Sequence, residues 1–335
     1  MSYSELLAYS KKVAKKVDKY ILEEILKGGP EYLYQASTHL IRAGGKRLRP
    51  TLLLLSTRVA GGNEDQALPA AAAIEILHNF TLVHDDVMDM DEFRRGVPTV
   101  HKVWGIPTAI IAGDLLFSKS FEAILKLTSN GVSIERVVEA AEILAKTAST
   151  IAEGQAMDMS FEDRLDVTEE EYFTMIYKKT AVLFEASTKI GALIAEAPND
   201  VIKYLAEYGR KIGLAFQIQD DILGIMGEEK KVGKPVGSDI REGKKTIIII
   251  NALKNASPSE KEKLLDALGN RKIGREKIEE IVDLLKKLGS IDYAKQYATK
   301  FSNEAIAALN AIETKDSDAK KMLVELAEYV VKRIK

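Results

Sequence analysis

The chain contains no cysteine, which excludes disulfide bonds, thiolate zinc sites and cysteine nucleophiles. It has no large excess of one charge, because the net charge is −2, and this predicts no general attraction to nucleic acid or anionic membranes. Long apolar runs are also lacking, and a stretch such as Ile247–Ile250 is far too short to span a bilayer. The first residues, Met1–Leu7, lack a signal-peptide pattern, so we expect a cytoplasmic protein without a transmembrane segment.

The pattern that is present is helical. Apolar positions recur at steps of three and four residues, as in Ile74, Leu77 and Thr81, and alternating strand patterns are absent. Two capping boxes, Thr168–Glu171 and Ser257–Glu260, indicate helix starts. These signals predict an all-α fold, with residues 1–335 forming a single domain. The predicted helices span residues 3–26, 30–41, 50–60, 66–92, 108–127, 132–160, 169–194, 199–226, 245–254, 259–269, 274–287, 290–312 and 317–334.

A first acidic cluster ends one of the apolar helices. Asp85 and Asp89 are one turn apart, so their Cβ atoms share a face at about 5–6 Å. Carboxylates beside apolar residues are costly unless a cation compensates them. This spacing suits Mg²⁺, which binds through one or two carboxylates plus substrate phosphates. Asp86 lies between them, and basic residues follow at Arg94 and Arg95, so the alternative of a solvated acidic helix end is less favoured.

A second acidic pair, Asp220 and Asp221, has a similar apolar setting. Gly224 occupies the position one turn later, where a third carboxylate would stand. A buried polar network is therefore as good an interpretation of this pair as a metal site. Asp239 offers a further carboxylate if its segment folds back.

Basic residues accompany both acidic clusters. The turn Gly44–Pro50 precedes a predicted helix, and within it Lys46 and Arg49 offer a point charge and a planar fork for phosphate. Its spacing differs from the Walker P-loop, and an exposed basic turn is the alternative. Lys179 interrupts the apolar helix 169–194, where it either extends to solvent or points into a cavity. Two more lysines, Lys234 and Lys244, follow the second pair.

Together these motifs resemble those of the trans-isoprenyl diphosphate synthases, also called polyprenyl synthetases. The resemblance covers nearly the whole chain. It rests on Gly44–Pro50, Asp85–Asp89 with Arg94-Arg95-Gly96, Gly154-Gln155, Lys179-Thr180, Gln217 with Asp220-Asp221, Gly233-Lys234 and Asp239–Lys244. It implies a large antiparallel helical bundle around a central cavity, the isoprenoid synthase fold, and a homodimer.

The resemblance also implies roles for individual residues. Three Mg²⁺ ions would be held by Asp85, Asp89 and Asp220. The implied catalytic set is Asp85, Asp86, Asp89, Lys179, Asp220, Asp221 and Lys234. The residues implied for the allylic diphosphate are Arg94, Lys179 and Lys234, with Thr180, Gln217 and Lys244 nearby. Those implied for isopentenyl diphosphate are Lys46, Arg49, His78 and Arg95. Gly224 departs from the family's commoner second motif, so no metal role is carried over to that position.

The resemblance further implies that the floor of the central cavity limits the length of the product. Phe80 lies five residues before Asp85, which is roughly 7.5 Å along a helix. With Leu77 and the small Thr81 beside it, this floor is similar to that of archaeal-type geranylgeranyl diphosphate synthases. The similarity implies condensation of isopentenyl diphosphate with C5 to C15 allylic diphosphates, giving mainly a C20 product. A farnesyl diphosphate synthase, a bifunctional C15/C20 enzyme and a purely structural role for Phe80 are the alternatives.

Other functional classes share some of these features. A class I terpene cyclase would have the first acidic motif, but Gly44–Pro50 and Gln217–Gly224 favour chain elongation. A non-enzymatic subunit would have no reason to retain both acidic clusters with their basic partners. A longer-chain synthase would be favoured by a small residue in place of Phe80. The glycine-containing segment Gly227–Lys245 is predicted to close over the site as a lid.

Overall fold

We describe a computed structural model of the chain, which covers residues 3–226 and 237–332. Within these residues the regular structure is helical apart from two paired strands of two residues, so the all-α prediction is confirmed. The described helices include none that is long and apolar enough to cross a membrane.

The elements follow in chain order. They are α1 (Ser4–Tyr20), α2 (Glu31–Arg42), α3 (Leu48–Val59), α4 (Leu68–Met88), β1 (Phe93–Arg94), β2 (Val97–Pro98), α5 (Val100–Trp104), α6 (Ile106–Leu125), α7 (Ile134–Phe161), α8 (Glu169–Ile176), α9 (Val182–Ile194), α10 (Asn199–Met226), α11 (Ser238–Glu242), α12 (Ile247–Asn255), α13 (Pro258–Ala267), α14 (Arg275–Lys287), α15 (Ser290–Asn310) and α16 (Ser317–Lys332). Two π-helical turns, Ile21–Ile25 and Tyr177–Ala181, follow α1 and α8, and a 3₁₀ turn, Lys126–Asn130, follows α6.

The boundaries of the predicted helices agree with the structure to within a few residues, but the short helices α5 and α11 were not predicted, and the predicted helix 3–26 ends in the π-helical turn Ile21–Ile25. Both predicted capping boxes are present, at Thr168–Glu171 and Ser257–Glu260. The prediction that one helix spans 66–92 is wrong at its C-terminal end, because Met90 adopts a left-handed backbone with φ 57° and the helix stops at Met88. The predicted helix 169–194 is divided by its π-helical turn, which periodicity of apolar residues does not reveal.

Contacts divide the chain into two compact units. The first comprises Met1–Ala148, Leu183–Gly209 and Ala308–Leu326. Its centre is α4, which packs mainly against α6 and α3. Residues Ala70–Leu77 of α4 are almost completely buried, as expected for a helix that is apolar nearly all round.

The second unit comprises Ser149–Val182, Arg210–Ala307 and Ala327–Lys335. Its apolar core is built from α8, the C-terminal half of α10 and the helices α12 to α15. Tyr172 and the run Ile247–Ile249 are among its almost completely buried members. Whether residues 1–335 act as a single domain stays a prediction.

Candidate active-site motifs

The first acidic cluster lies at the C-terminal end of α4. Asp85 and Asp86 belong to its last turn, and Asp89 donates its backbone N–H to the Asp85 carbonyl oxygen at 2.8 Å. A helix C-terminus carries partial negative charge, so three carboxylates there are unfavourable without a compensating cation. The side chain of Asp86 is 1% exposed and that of Asp85 is 22% exposed. This end of α4 therefore requires positive charge.

A tight hairpin supplies one such charge. Strands β1 and β2 pair in antiparallel register, and the two residues between them, Arg95 and Gly96, have φ values of 55° and 78°. Positive φ at both central residues is typical of a type I′ turn, which glycine adopts without steric cost. The turn brings the Arg94 guanidinium to 2.5 Å from Asp86 Oδ1 and 3.6 Å from Asp85 Oδ2. Arg94 thus offsets part of the negative charge.

The carboxylates at this end of α4 fit a divalent cation. Burial raises the pKa of Asp86 to about 6, although the Arg94 guanidinium opposes that shift. Asp86 Oδ2 is buried and has no hydrogen-bond partner within the described residues. His, Asp and Glu side chains form no metal-holding group of three or more in the described part of the chain. Mg²⁺, however, commonly binds through one or two carboxylates and completes its shell with water and substrate phosphates.

The basic turn before α3 is anchored by a residue to which the sequence analysis gave no role. Arg47 is 2% exposed and has a left-handed backbone with φ 48°. Its guanidinium donates to a backbone carbonyl of α2 at 2.7 Å and pairs with Asp18 at 2.7 Å and the buried Glu75 at 3.1 Å. Lys46 remains exposed in the same turn, and Arg49 is half-buried. Arg47 therefore fixes the turn that presents these two side chains.

Replacing Arg47 by methionine is expected to destabilise the protein strongly. The change removes the closest cation from Glu75, and breaking a buried ion pair costs about 3–5 kcal/mol of unfolding free energy. The control is Arg136→Met, which breaks the more exposed pair with Glu139 and should cost less than about 1 kcal/mol. Urea unfolding followed by circular dichroism measures the unfolding free energy of both variants. Equal losses in the two variants would contradict the anchoring role.

Arg49 and His78 contact each other within the first unit. Arg49 Nη1 lies 3.2 Å from His78 Nε2, and the Arg49 guanidinium stacks on Phe184 with Cζ 4.4 Å from the ring centroid. Burial, and then the positive charge of Arg49, hold the pKa of His78 well below its ordinary value. The imidazole is therefore neutral, and Nε2 accepts a hydrogen bond from Arg49. Arg95 belongs to the same unit, where its guanidinium lies 3.7 Å from Glu75.

Phe80 belongs to a cluster of aromatic side chains. Its ring centroid lies 5.3 Å from that of Phe117 on α6, and Phe117 lies 5.2 Å from Phe121. These tilted and edge-on arrangements are the ones that aromatic pairs prefer. Leu77 is fully buried, and Thr81 donates its hydroxyl to a backbone carbonyl of α4 at 2.8 Å. Phe117 and Phe121 could not be identified from the sequence, because pairing between α4 and α6 cannot be read from either helix alone.

In the second unit, Lys179 lies in the π-helical turn Tyr177–Ala181. Such turns within α-helices frequently occur at functional sites. Lys179 Nζ lies 2.5 Å from Asp158 Oδ2 on α7. Gly154, also on α7, lets the backbone of this turn lie close to α7. A Cβ at Gly154 would lie 2.6 Å from the Lys178 carbonyl carbon and 2.7 Å from Lys179 Cα. The position of Lys179 therefore depends on the absence of a side chain at Gly154.

A chain of hydrogen bonds orients Asp221. Tyr172 donates its hydroxyl to Asp221 Oδ2 at 2.6 Å, and Gln217 Nε2 donates to Asp221 Oδ1 at 2.8 Å. Thr180 in turn donates its hydroxyl to Gln217 Oε1 at 2.7 Å. Burial raises the pKa of Asp221 to about 8. Both oxygens of Asp221 are engaged, whereas the neighbouring Asp220 is exposed, so Asp220 is the better placed of the two to bind an ion.

Two predictions concern the segment after α10. Lys234 and residues 227–236 of the predicted lid lie outside the described residues. Lys244 is described, and its Nζ lies 2.9 Å from Glu242 Oε2.

Comparison with known proteins places this arrangement in a family. The model of the family described as Polyprenyl synthetase matches residues 30–285. A protein of Saccharolobus solfataricus named geranylgeranyl diphosphate synthase is 48% identical over 335 residues, covering 100% of both chains. The solved structure of a geranylgeranyl pyrophosphate synthetase from Pyrococcus horikoshii has a TM-score of 0.92 at 45% identity and covers 99% of each chain. A polyprenyl synthase from Caulobacter crescentus, solved with calcium and isoprenyl diphosphate, has a TM-score of 0.90 at 32% identity, covering 100% of this chain and 98% of that one. As its motifs predicted, the chain belongs to the polyprenyl synthetase family.

Proposed function

We propose that the protein is a geranylgeranyl diphosphate synthase, a short-chain trans-prenyltransferase. It condenses isopentenyl diphosphate with allylic diphosphates of five to fifteen carbons and releases mainly the C20 product. The observation that carries this proposal is the acidic end of α4, where Asp85, Asp86 and Asp89 lie beside Arg94. The name of the relative at 48% identity over the whole chain supports it. A farnesyl diphosphate synthase, a bifunctional C15/C20 enzyme and a class I terpene cyclase are not favoured.

The proposed cofactor is Mg²⁺, with three ions held by Asp85, Asp89 and Asp220. Their oxygen ligands suit this hard cation, and the cluster of carboxylates at the negatively charged end of α4 supports its binding there. When bound, the ions supply positive charge that favours departure of the diphosphate group. A solved relative that contains calcium with isoprenyl diphosphate supports the use of divalent metal.

We propose that cationic and polar side chains bind the allylic diphosphate. The residues are Arg94, Lys179, Thr180, Gln217, Lys234 and Lys244. Arg94 has five N–H donors, so it can contact Asp86 and a phosphate oxygen together. Lys179 supplies a point charge from its π-helical turn. Asp221 acts as a positioning residue, because it orients Gln217 and, through Gln217, Thr180.

Substituting Gly154 by alanine is expected to raise the KM for the allylic diphosphate by about tenfold or more, since small misplacements of binding groups can cost up to about 10²-fold. The added methyl group must displace the backbone at Lys179. Gly191→Ala is a matched control, because its Cβ would clash with the Leu53 carbonyl oxygen and lie 3.1 Å from the Thr57 hydroxyl, away from the proposed site residues. Steady-state kinetics measures the KM of each variant, and thermal unfolding measures its stability. If both variants lose stability equally but neither changes KM, Gly154 has no positioning role.

Isopentenyl diphosphate is proposed to bind Lys46, Arg49, His78 and Arg95. Arginine forks match phosphate oxygens in a bidentate manner, and the exposed Lys46 adds a flexible charge. The neutral His78 orients Arg49 through the hydrogen bond that it accepts. It adds no positive charge of its own, so its proposed contribution is positioning.

The proposed reaction begins when the allylic C–O bond breaks and the diphosphate leaves with the bonding electrons. Cationic side chains stabilise the charge that develops on the leaving group. The double bond of isopentenyl diphosphate then attacks the allylic cation, and fixed proximity makes this step effectively unimolecular. Loss of a proton, with the released diphosphate as the proposed base, gives an allylic diphosphate that is five carbons longer. Water must be excluded, since it would trap the cation.

Three further proposals concern the floor, the assembly and the cellular location. Phe80, with Leu77 and Thr81, limits the length of the product, and contact of Phe80 with Phe117 supports a rigid floor. The protein acts as a homodimer in the cytoplasm, as family resemblance suggests. It binds small-molecule diphosphates and not nucleic acid, which its net charge of −2 supports.

A transfer assay tests the proposed activity. Labelled isopentenyl diphosphate is incubated with the protein and dimethylallyl, geranyl or farnesyl diphosphate, with and without Mg²⁺. We expect label in the prenyl product only when protein, allylic primer and Mg²⁺ are all present. A product formed without isopentenyl diphosphate would indicate a cyclase. Absence of transfer under every condition would indicate a non-enzymatic subunit.

A further inference from the structure

The hairpin β1–β2 carries two arginines that are proposed to bind diphosphate, yet it has little stability of its own. Its strands are only two residues long, and Phe93 is paired with Pro98. An isolated two-stranded hairpin is marginally stable at best in water, and Pro98 has no N–H with which to extend the ladder. The position of the hairpin therefore depends on contacts with other elements.

Arg94 and Arg95 provide two of these contacts. Arg94 is tied to α4, where its guanidinium lies 2.5 Å from Asp86. Arg95 donates to the Leu40 carbonyl oxygen of α2 at 2.7 Å. Because both guanidinium groups are proposed to bind phosphate, their N–H donors are shared between anchoring and substrate. An anchor that does not use these donors would hold the hairpin while substrate binds and leaves.

His39, a partly buried residue of α2, supplies such an anchor. Its Nε2 lies 2.8 Å from the Pro98 carbonyl oxygen, and the imidazole donates this hydrogen bond because a carbonyl oxygen only accepts. The His39 ring also meets Trp104 of α5 edge to face, with centroids 5.0 Å apart and planes at 76°. Thr99 alone separates β2 from α5, so both contacts of His39 act on one segment.

The C-terminal end of α2 holds two basic elements in place. The last carbonyl groups of a helix lack intrahelical donors and carry partial negative charge, which suits arginine. The Leu40 carbonyl accepts from Arg95 of the hairpin, and the Ile41 carbonyl accepts from Arg47 of the basic turn, each at 2.7 Å. A shift of the hairpin on α2 would therefore move Arg95 relative to the basic turn, and both belong to the proposed site for isopentenyl diphosphate.

We propose that His39 is a positioning residue for isopentenyl diphosphate. By donating to the Pro98 carbonyl oxygen, it keeps the hairpin where Arg95 reaches the diphosphate. The inference rests on the proposed function and adds to it a residue that does not itself touch substrate. Without the His39 donor, the hairpin is docked in a smaller fraction of the molecules, and the apparent affinity falls with that fraction.

Two substitutions separate the two contacts of His39. His39→Phe keeps an aromatic ring beside Trp104 but has no donor, whereas His39→Gln keeps an N–H donor and loses the ring. Isopentenyl diphosphate is titrated calorimetrically into the full-length protein without an allylic primer, so that no turnover occurs. We expect His39→Phe to bind it about threefold to tenfold more weakly, which corresponds to the net strength of one hydrogen bond. His39→Gln should bind it nearly as tightly as the wild type.

Trp104 gives a second measurement, because it is the only tryptophan of the chain and its fluorescence reports on this segment alone. Acrylamide should quench Trp104 more strongly in His39→Phe than in the wild type. Saturating isopentenyl diphosphate should reverse the difference, since a ligand that binds the docked hairpin favours that state. Quenching that does not respond to the ligand would contradict the positioning role.

Two controls accompany these variants, and thermal unfolding checks that each is folded. Gln35→Ala removes an exposed side chain one turn earlier on α2 and should leave binding unchanged. Binding of inorganic diphosphate with Mg²⁺ should change little in His39→Phe, because Arg94 is tied to α4 independently of His39. Equal weakening of both ligands would indicate general loosening and would overturn the proposal.

Wild-type affinity for isopentenyl diphosphate in His39→Phe would also overturn it, as would binding by His39→Gln that is no tighter than that of His39→Phe. His39→Ala likewise lacks a donor, and it decides if His39→Phe does not fold. Failure of the wild-type protein to bind isopentenyl diphosphate would instead contradict the proposed function. The two failures are therefore distinguishable.

Discussion

Asp85→Ala is expected to lower the rate of product formation by about 10³-fold or more, because it removes a proposed ligand of the ions that stabilise the leaving group. Thermal stability should be unchanged or slightly higher. The reason is that Asp85 places negative charge at the negative end of α4, close to two other carboxylates. A large loss of rate without loss of stability is the signature of a residue retained for function. Single-turnover rates and thermal unfolding measure the two effects.

Two variants refine the experiment on Asp85. Asp85→Asn preserves the size of the side chain but removes its charge, so its rate should resemble that of Asp85→Ala. Asp114→Ala removes a carboxylate that is 68% exposed on α6, and it should retain the wild-type rate. If Asp85→Ala slowed the reaction by only a few-fold, or unfolded the protein, the proposed metal role of this motif would be wrong.

Phe80→Ala is expected to shift the main product from C20 to C25 and longer chains. Phe80 lies five residues before Asp85 on α4, and its phenyl ring packs against that of Phe117. If Phe80 forms the proposed floor, its removal opens the volume into which the growing chain extends. Some stability is lost with the ring, but less than the 3–5 kcal/mol typical of a fully buried phenylalanine, since Phe80 is only partly buried. Product lengths are read by mass spectrometry after phosphatase treatment.

Phe301→Ala provides the matched control for Phe80. Phe301 is also a partly buried aromatic residue in an aromatic cluster, but it belongs to α15 in the second unit. This variant should keep the C20 limit at a similar cost in stability. Phe80→Ala/Phe117→Ala should extend the product further than Phe80→Ala alone. An unchanged C20 limit in Phe80→Ala would leave Phe80 as an ordinary core residue.

The sequence predicted helices well because their signals are local. Spacing of apolar residues and capping boxes lie within one helix, as at Thr168–Glu171. The end of α4 was misplaced because it depends on the backbone conformation of Met90, a residue without a strong left-handed preference. The split of the predicted helix 169–194 was missed for a similar reason, since the π-helical turn is accommodated by Gly154 on another helix.

Some residues of the candidate site could likewise be predicted from local sequence, whereas others depend on tertiary contacts. The acidic pairs were visible from sequence because carboxylates in apolar helices are costly. The role of Arg47 was not visible, because its partners Asp18 and Glu75 are each more than twenty residues away in the chain. Tertiary packing creates these pairs, and spacing within one helix cannot reveal them.

The central claim is that this chain elongates allylic diphosphates to a C20 limit set by its own cavity. The most direct measurement incubates the purified protein with Mg²⁺, isopentenyl diphosphate and each allylic primer, then identifies the dephosphorylated alcohols by mass spectrometry. A dominant C20 alcohol from every primer is the predicted result. A dominant C15 or C25 alcohol would contradict the assigned limit, and a cyclic hydrocarbon or no prenyl product would contradict chain elongation itself.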